Sequence, residues 1–228
     1  WGAFAQFSKV MDIQCAHIPK GMSWAEASSF TAAGVAVYRM MTHWVPNTVK
    51  KGDVVLIYGG TGSVGSMAIQ IAAYYGAIPI AVVSSEERGA ICMKLGAKGY
   101  INRKKYHHWG SLDDYLNPEK QKVWTYEAMK FPAIVIEHPG RDTMPTSLFV
   151  CDRNGMVVTC WATSSYQADI DLRYLWLGQK RIQGSHSGTP EDYDAFARIV
   201  ENSTIRPYIG KIFPWEELPL AHQMLYEG

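Results

Sequence analysis

Val54-Val55-Leu56-Ile57-Tyr58-Gly59-Gly60-Thr61-Gly62-Ser63-Val64-Gly65 decides the fold: a β-branched apolar run stops abruptly at glycines spaced G-x-G-x-x-G. Such a run suits a strand buried on both faces. In the glycine pattern, Gly60 is expected to permit the tight turn and Gly62 to let the backbone approach a pyrophosphate, while Gly65 lets the next helix pack closely on the strand. That helix, expected over residues 63–75, would aim the unpaired N–H groups of Ser63, Val64 and Gly65, and its positive dipole end, at the phosphates.

Working outward, Met67, Ile69, Ile71 and the intervening alanines supply an apolar helix face that ends at Gly76, and residues 78–83 read as a second buried strand. Strand, turn, helix and strand fit within about 30 residues, the span of one βαβ unit. A phosphate-hydrolysing P-loop is disfavoured, because Ser66-Met67 stands where Lys-Ser/Thr is needed.

Upstream, residues 4–10 alternate like a strand, and Ser23-Trp24-Ala25-Glu26 forms a capping box for a helix. A second helix is expected over residues 32–43. Downstream, Ser84-Ser85-Glu86-Glu87 caps a helix that ends at Gly96, and a third strand follows at 99–102. Residues 103–118 read as a surface insertion and 119–130 as a helix. Further strands are expected at 133–136, 156–160 and 181–185, with helices at 144–150 and 170–177 and another opened by Thr189-Pro190. Six strands alternating with helices imply an α/β fold with a doubly wound, six-stranded parallel sheet, a Rossmann architecture. In the usual order 3-2-1-4-5-6, the first and fourth strands are neighbours. The glycine turn and Glu137-His138-Pro139-Gly140 then flank one crevice at the carboxyl ends of the strands.

Composition narrows the partners. The 228 residues are 47% hydrophobic and carry a formal net charge of +1, which gives no electrostatic footprint for nucleic acid or an anionic membrane surface. No apolar run approaches the ~20 residues of a membrane span. The start, Trp1-Gly2-Ala3-Phe4, has no signal-peptide layout. A cytoplasmic enzyme acting on small molecules is the expectation, and the opening on Trp suggests a fragment. Cys15, Cys92, Cys151 and Cys160 lack any C-x-x-C spacing and read as reduced, buried thiols.

An acidic side chain at the end of the second strand normally selects NAD through the ribose hydroxyls. Here Ser84-Ser85 with Arg88 one turn on suits a 2′-phosphate, so NADP is favoured; Glu86 and Glu87 argue against it unless they serve the helix dipole. His138, held between a buried strand and Pro139-Gly140, is either a backbone-bonding loop histidine or a group facing the cofactor. Glu137 is the second candidate for the catalytic set, expected to orient the loop rather than to transfer protons. Residues 161–165, Thr163 among them, bring hydroxyls towards the same crevice. His186 is open to two readings, lining the crevice or ending an edge strand used for dimerisation. His107 and His108 lack a completing carboxylate or cysteine, so no metal site is expected. Tyr126-x-x-x-Lys130 has the spacing of a short-chain dehydrogenase pair but stands too soon after the glycine turn for that family.

With these residues in hand, the chain resembles the medium-chain dehydrogenase/reductases, and among them the crotonyl-CoA (2-enoyl-CoA) carboxylase/reductases. The resemblance is carried by Gly2-Ala3-Phe4-Ala5-Gln6-Phe7, Val82-Val83-Ser84-Ser85-Glu86-Glu87, the stretch from Leu95 to Lys104, Ile136-Glu137-His138-Pro139-Gly140, Arg173-Tyr174-Leu175-Trp176 and the stretch from Gln179 to His186. It implies residues 1–35 as the remnant of a GroES-like catalytic domain with its linking helix, and residues 36–228 as the dinucleotide-binding domain. It also implies NADPH as cofactor, with Arg103, Ser185 and His186 joining the site, and hydride transfer to a 2-enoyl-CoA such as crotonyl-CoA. The resulting enolate would take up CO2 beside His138, giving an alkylmalonyl-CoA. Most of the acyl-CoA pocket would lie upstream of Trp1, and a final strand after Gly228. A homo-oligomer joined through the Arg181-Ser185 strand is expected. Two alternatives remain: a non-carboxylating enoyl-thioester or quinone reductase, and a non-catalytic cofactor-binding oligomerisation module.

Overall fold

The computed structural model describes residues 4–105 and 131–227. Six strands, β1 (Val54–Tyr58), β2 (Ile78–Val83), β3 (Gly99–Asn102), β4 (Ile134–Glu137), β5 (Met156–Thr159) and β6 (Arg181–Gly184), form one parallel sheet in the order β3-β2-β1-β4-β5-β6. The order reverses between β1 and β4, where Val55 to Ile57 pair with Ile134 to Ile136. That reversal opens the crevice expected from the sequence.

Alternation along the strands divides the core in two. Val55, Ile57, Ala81, Val83, Ile134, Ile136, Met156 and Val158 face one layer, and Val54, Leu56, Tyr58, Ile80, Val82, Val135 and Val157 face the other. The first layer contains α1 (Trp24–Thr42), α2 (Ser63–Tyr74) and Cys92 of α3 (Glu86–Lys94), with α6 (Pro190–Glu201) entering through Phe196 and Val200. Val150 and Cys151, at the end of α4 (Met144–Val150), face the second. Two further helices, α5 (Leu172–Leu177) and α7 (Leu218–Glu227), bury no residue. Lys180 gives its ammonium to the carbonyls of Leu148 and Phe149, at 2.8 and 2.9 Å, closing the C-terminus of α4.

Three expectations change. Residues 4–10 form no strand, and in the described stretch before α1 only a 3-10 turn at Asp12–Gln14 is regular. The two helices expected between residues 23 and 43 are one, because the Ser23–Glu26 capping box starts it and nothing breaks the apolar stripe from Phe30 through Met41. Cys15 is exposed and Cys160 half-buried; only Cys92 and Cys151 are buried thiols, and all four are free. The expected helix at 119–130, His107, His108 and the Tyr126/Lys130 pair lie outside the described residues.

Candidate functional site

A cleft of about 410 Å³ lies over the β1/β4 boundary, lined among others by Gly60, Thr61, Ser84, Arg88, Arg103, His138 and Thr163. It joins the glycine turn to the Glu-His-Pro-Gly turn. A larger cavity, about 930 Å³, lies between residues 13–18, α1 and α6 and contains none of the expected site residues.

The glycines work differently from the simple assignment. The left-handed residue of the turn is Gly59, at φ +57°, not Gly60. At Gly60 the restraint is crowding, since a Cβ there would lie 2.6 Å from Cys92 Sγ and 2.8 Å from Ala81 Cβ. Gly65 fulfils its expected role: a Cβ would stand 2.2 Å from the Gly59 carbonyl oxygen, so only glycine lets α2 start so close to β1. Gly62 is the N-cap of α2, and a Cβ there would meet only that same oxygen, at 3.3 Å. The N–H groups of Ser63, Val64 and Gly65 stand at the helix start with no intrahelical acceptor. These features fit a dinucleotide pyrophosphate: an open glycine face, a helix N-terminus and a cleft beside them.

At the end of β2, Ser84 lines the cleft with Arg88 and Arg103, whereas Ser85 turns to cap α3 and accepts the Arg88 N–H at 3.3 Å. Glu86 is not a simple first-turn carboxylate. Its oxygens accept from Tyr100 Oη at 2.7 Å, Asn102 Nδ2 at 2.8 Å and Lys105 Nζ at 2.8 Å. The Lys105 ammonium first, then Tyr100 and Asn102, pull its carboxyl down to about 2.

On the opposite lip, Glu137 is fully buried and accepts from Gly140 N–H at 2.9 Å, from the Thr143 hydroxyl at 2.6 Å and from the Ser147 hydroxyl. Its carboxylate is thus spent on holding the turn, which bends at Gly140, φ +93°. The strand-end segment after β5 zips onto the same turn: Thr163 N–H donates to the His138 carbonyl at 3.2 Å and Ser164 N–H to that of Pro139 at 2.7 Å. His138 is half-buried, with Nε2 3.0 Å from the Tyr58 carbonyl oxygen. A carbonyl only accepts, so Nε2 carries the proton. The imidazole rests over Gly59, where a Cβ would lie 3.0 Å from both Cε1 and Nε2. His138 therefore both bonds the backbone and lines the cleft.

Ser185 and His186 do not line the cleft. Ser185 is buried at the end of β6, its N–H bonded to the Thr159 carbonyl at 2.8 Å and its hydroxyl without a partner among the described residues, while His186 is exposed. Residues missed from sequence are those placed by tertiary contact: the Tyr58 carbonyl, 80 residues from His138, Ser164, 25 residues from Pro139, and Thr143 and Ser147, 6 and 10 residues from Glu137. The N-cap position of Thr143 before α4 was their one local signal.

Among the described residues, no group of three or more His, Cys, Asp or Glu could hold a metal, and no helix is long and apolar enough to cross a membrane. The family model described as zinc-binding dehydrogenase matches residues 63–202. The crotonyl-CoA carboxylase/reductase of Cereibacter sphaeroides is 38% identical over 240 residues, covering 100% of this chain and 56% of that protein. The structure of crotonyl-CoA carboxylase/reductase AntE in complex with NADP superposes with a TM-score of 0.85 at 43% identity, over 96% of this chain and 57% of the other. The 2-octenoyl-CoA carboxylase reductase CinF, in complex with NADP and 2-octenoyl-CoA, gives 0.82 at 34% identity, over 92% and 48%. The chain spans about half the length of the curated relatives it matches. With its glycine turn, switch-point cleft and matching core segment, the chain belongs to the zinc-binding dehydrogenase family and is similar within it to the crotonyl-CoA carboxylase/reductases.

Proposed function

We propose that this chain is the dinucleotide-binding part of an NADPH-dependent reductive carboxylase acting on a 2-enoyl-CoA. The observation that carries the reading is the single cleft in which the glycine turn, the Ser84/Arg88/Arg103 group and His138 converge. The relatives named above, two of them solved with NADP, give it its chemical direction. Bound NADPH supplies the hydride. The chain's own part is to bind and orient. The Ser63, Val64 and Gly65 amides hold pyrophosphate, and Ser84 with the Arg88 and Arg103 guanidiniums takes the 2′-phosphate.

Hydride addition at Cβ of the enoyl thioester shifts the double-bond electrons to the thioester oxygen as an enolate. Its Cα then bonds the carbon of CO2, and one C–O π pair becomes the new carboxylate. His138 is the candidate to steady that carboxylate. Because its Nε2–H is held by Tyr58, a second N–H requires a proton on Nδ1. Glu137 acts as a positioning residue through the turn. We also place the contact of a homo-oligomer at the outer edge of β6, where Ile182 is exposed; sedimentation of an Ile182→Lys variant tests this, with an unchanged mass opposing it.

The test is product mass from NADPH, crotonyl-CoA and labelled bicarbonate with the intact protein. Labelled ethylmalonyl-CoA is expected, and butyryl-CoA alone under saturating bicarbonate would overturn carboxylation. The non-carboxylating reductase is the second reading, favoured by the engagement of the His138 Nε2–H with backbone, and butyryl-CoA alone is its expected product.

A further inference from the structure

We propose that Glu86 is a specificity-determining positioning residue for the phosphorylated dinucleotide, acting through Arg103 without touching the cofactor. The inference rests on the reading of the cleft as an NADPH site. A carboxylate just after β2 ordinarily accepts the ribose hydroxyls and repels a 2′-phosphate. Here the carboxylate is turned to other work.

All three groups bonded to Glu86 come from one short segment: Tyr100 and Asn102 of β3, and Lys105 in the 3-10 turn Arg103–Lys105. Arg103 stands between Asn102 and Lys105, so the chain is gripped on both sides of it. The turn is tightened further by the Lys104 N–H, which donates to Asn102 Oδ1 at 3.2 Å. Arg103 lines the cleft and Glu86 does not. Among the described residues the Arg103 guanidinium has no hydrogen-bond or ion-pair partner, so its orientation depends on how its backbone is held.

Charge runs the same way. Lys105 lies 2.8 Å from Glu86 and offsets its negative charge beside the Arg103 that lines the cleft. Among the described residues, the one carboxylate lining the cleft, Asp142, belongs to the opposite turn. The Glu86 clasp thus converts a residue type that usually selects NAD into a support for the NADP reader.

Binding of NADPH and NADH to the full-length protein, followed by nicotinamide fluorescence without substrate, tests this. Glu86→Ala should weaken NADPH about tenfold and leave NADH within about twofold. Arg103→Ala should do the same, and the double variant should be no weaker than Arg103→Ala alone, because the two residues act as one unit. Glu86→Gln should fall between, having lost the charge pair but kept an acceptor. A wild-type preference for NADPH that survives Glu86→Ala, or additive losses in the double variant, overturns the inference and leaves the NADPH reading intact. Equal binding of both cofactors by the wild type ends the reading and the inference together. Should Glu86→Ala not fold, Asn102→Ala and Lys105→Met open the clasp from its other side; an unchanged NADPH/NADH ratio in both overturns it.

Discussion

Two turns face each other across the cleft, and they are built by opposite means. The turn after β1 takes its shape from its own backbone, with the His138 imidazole resting on it: a left-handed Gly59, a Gly62 N–H bonded to the Gly59 carbonyl at 2.8 Å, and a Gly65 that admits that carbonyl against α2. The turn after β4 is held by a side chain, the buried Glu137 carboxylate with its three donors. A turn that must present bare N–H groups to phosphate leaves no room for side chains. A turn that must present a side chain needs an internal brace.

The first turn is the less tolerant of the two, and most of all at Gly65. Gly65→Ala puts a Cβ against backbone, and a loss of about 4 kcal/mol or more is expected in urea unfolding, since neither β1 nor α2 can retreat from the shared core. Next comes Glu137→Ala, which strands the Gly140 N–H and two hydroxyls in a dry site; about 3 kcal/mol is expected by the same measurement. Gly140→Ala should cost about 2 kcal/mol, from a positive φ and an approach of 2.7 Å to the Ser165 carbonyl. A loss at Gly140 larger than at Gly65 would reverse the ranking of the two turns.

His138→Asn sharpens rather than breaks the contrast. Stability should change by under about 1 kcal/mol, as one hydrogen bond to Tyr58 is replaced or lost, while product shifts from carboxylated to simply reduced acyl-CoA. An unchanged product ratio removes His138 from the CO2 site. The smallest effect is expected from the thiols. Cys92 lies beneath the first turn, and burial pushes its thiol up to about 11. At pH 8 its thiolate fraction is then on the order of 0.001, so DTNB should label exposed Cys15 first and Cys92 only after unfolding.

The difference between the turns also explains what could be read from sequence. The first turn is local. Its strand, glycines and helix lie within residues 54–74, so periodicity and glycine spacing locate it, and even there the left-handed residue proved to be Gly59. β2, β3 and α4 were equally legible, because apolar runs bounded by Gly, Ser or Pro leave few choices. The second turn is only partly local: the donors to Glu137 lie within 10 residues of it, but His138 and the Thr163–Ser164 segment tie the turn to distant chain. Its sequence shows Glu137 and His138 side by side, but nothing in the spacing tells that one points into the core towards Ser147 and the other reaches Tyr58, 80 residues away. Glu86 does stand in the first turn of its helix, as the sequence suggests, but its partners lie 14 to 19 residues on, beyond any helix-dipole argument. The strand expected at 4–10 does not form, since among the described residues that alternation has no neighbouring strand to pair with.

The contact between His138 and Gly59 has a consequence for sequence variation. The imidazole occupies the space a side chain at 59 would need. A side chain at 59 thus meets two separate obstacles, the left-handed φ of +57° and an imidazole 3.0 Å from its Cβ, and a smaller residue at 138 relieves only the second. Variation at 138 should therefore leave glycine at 59 in place.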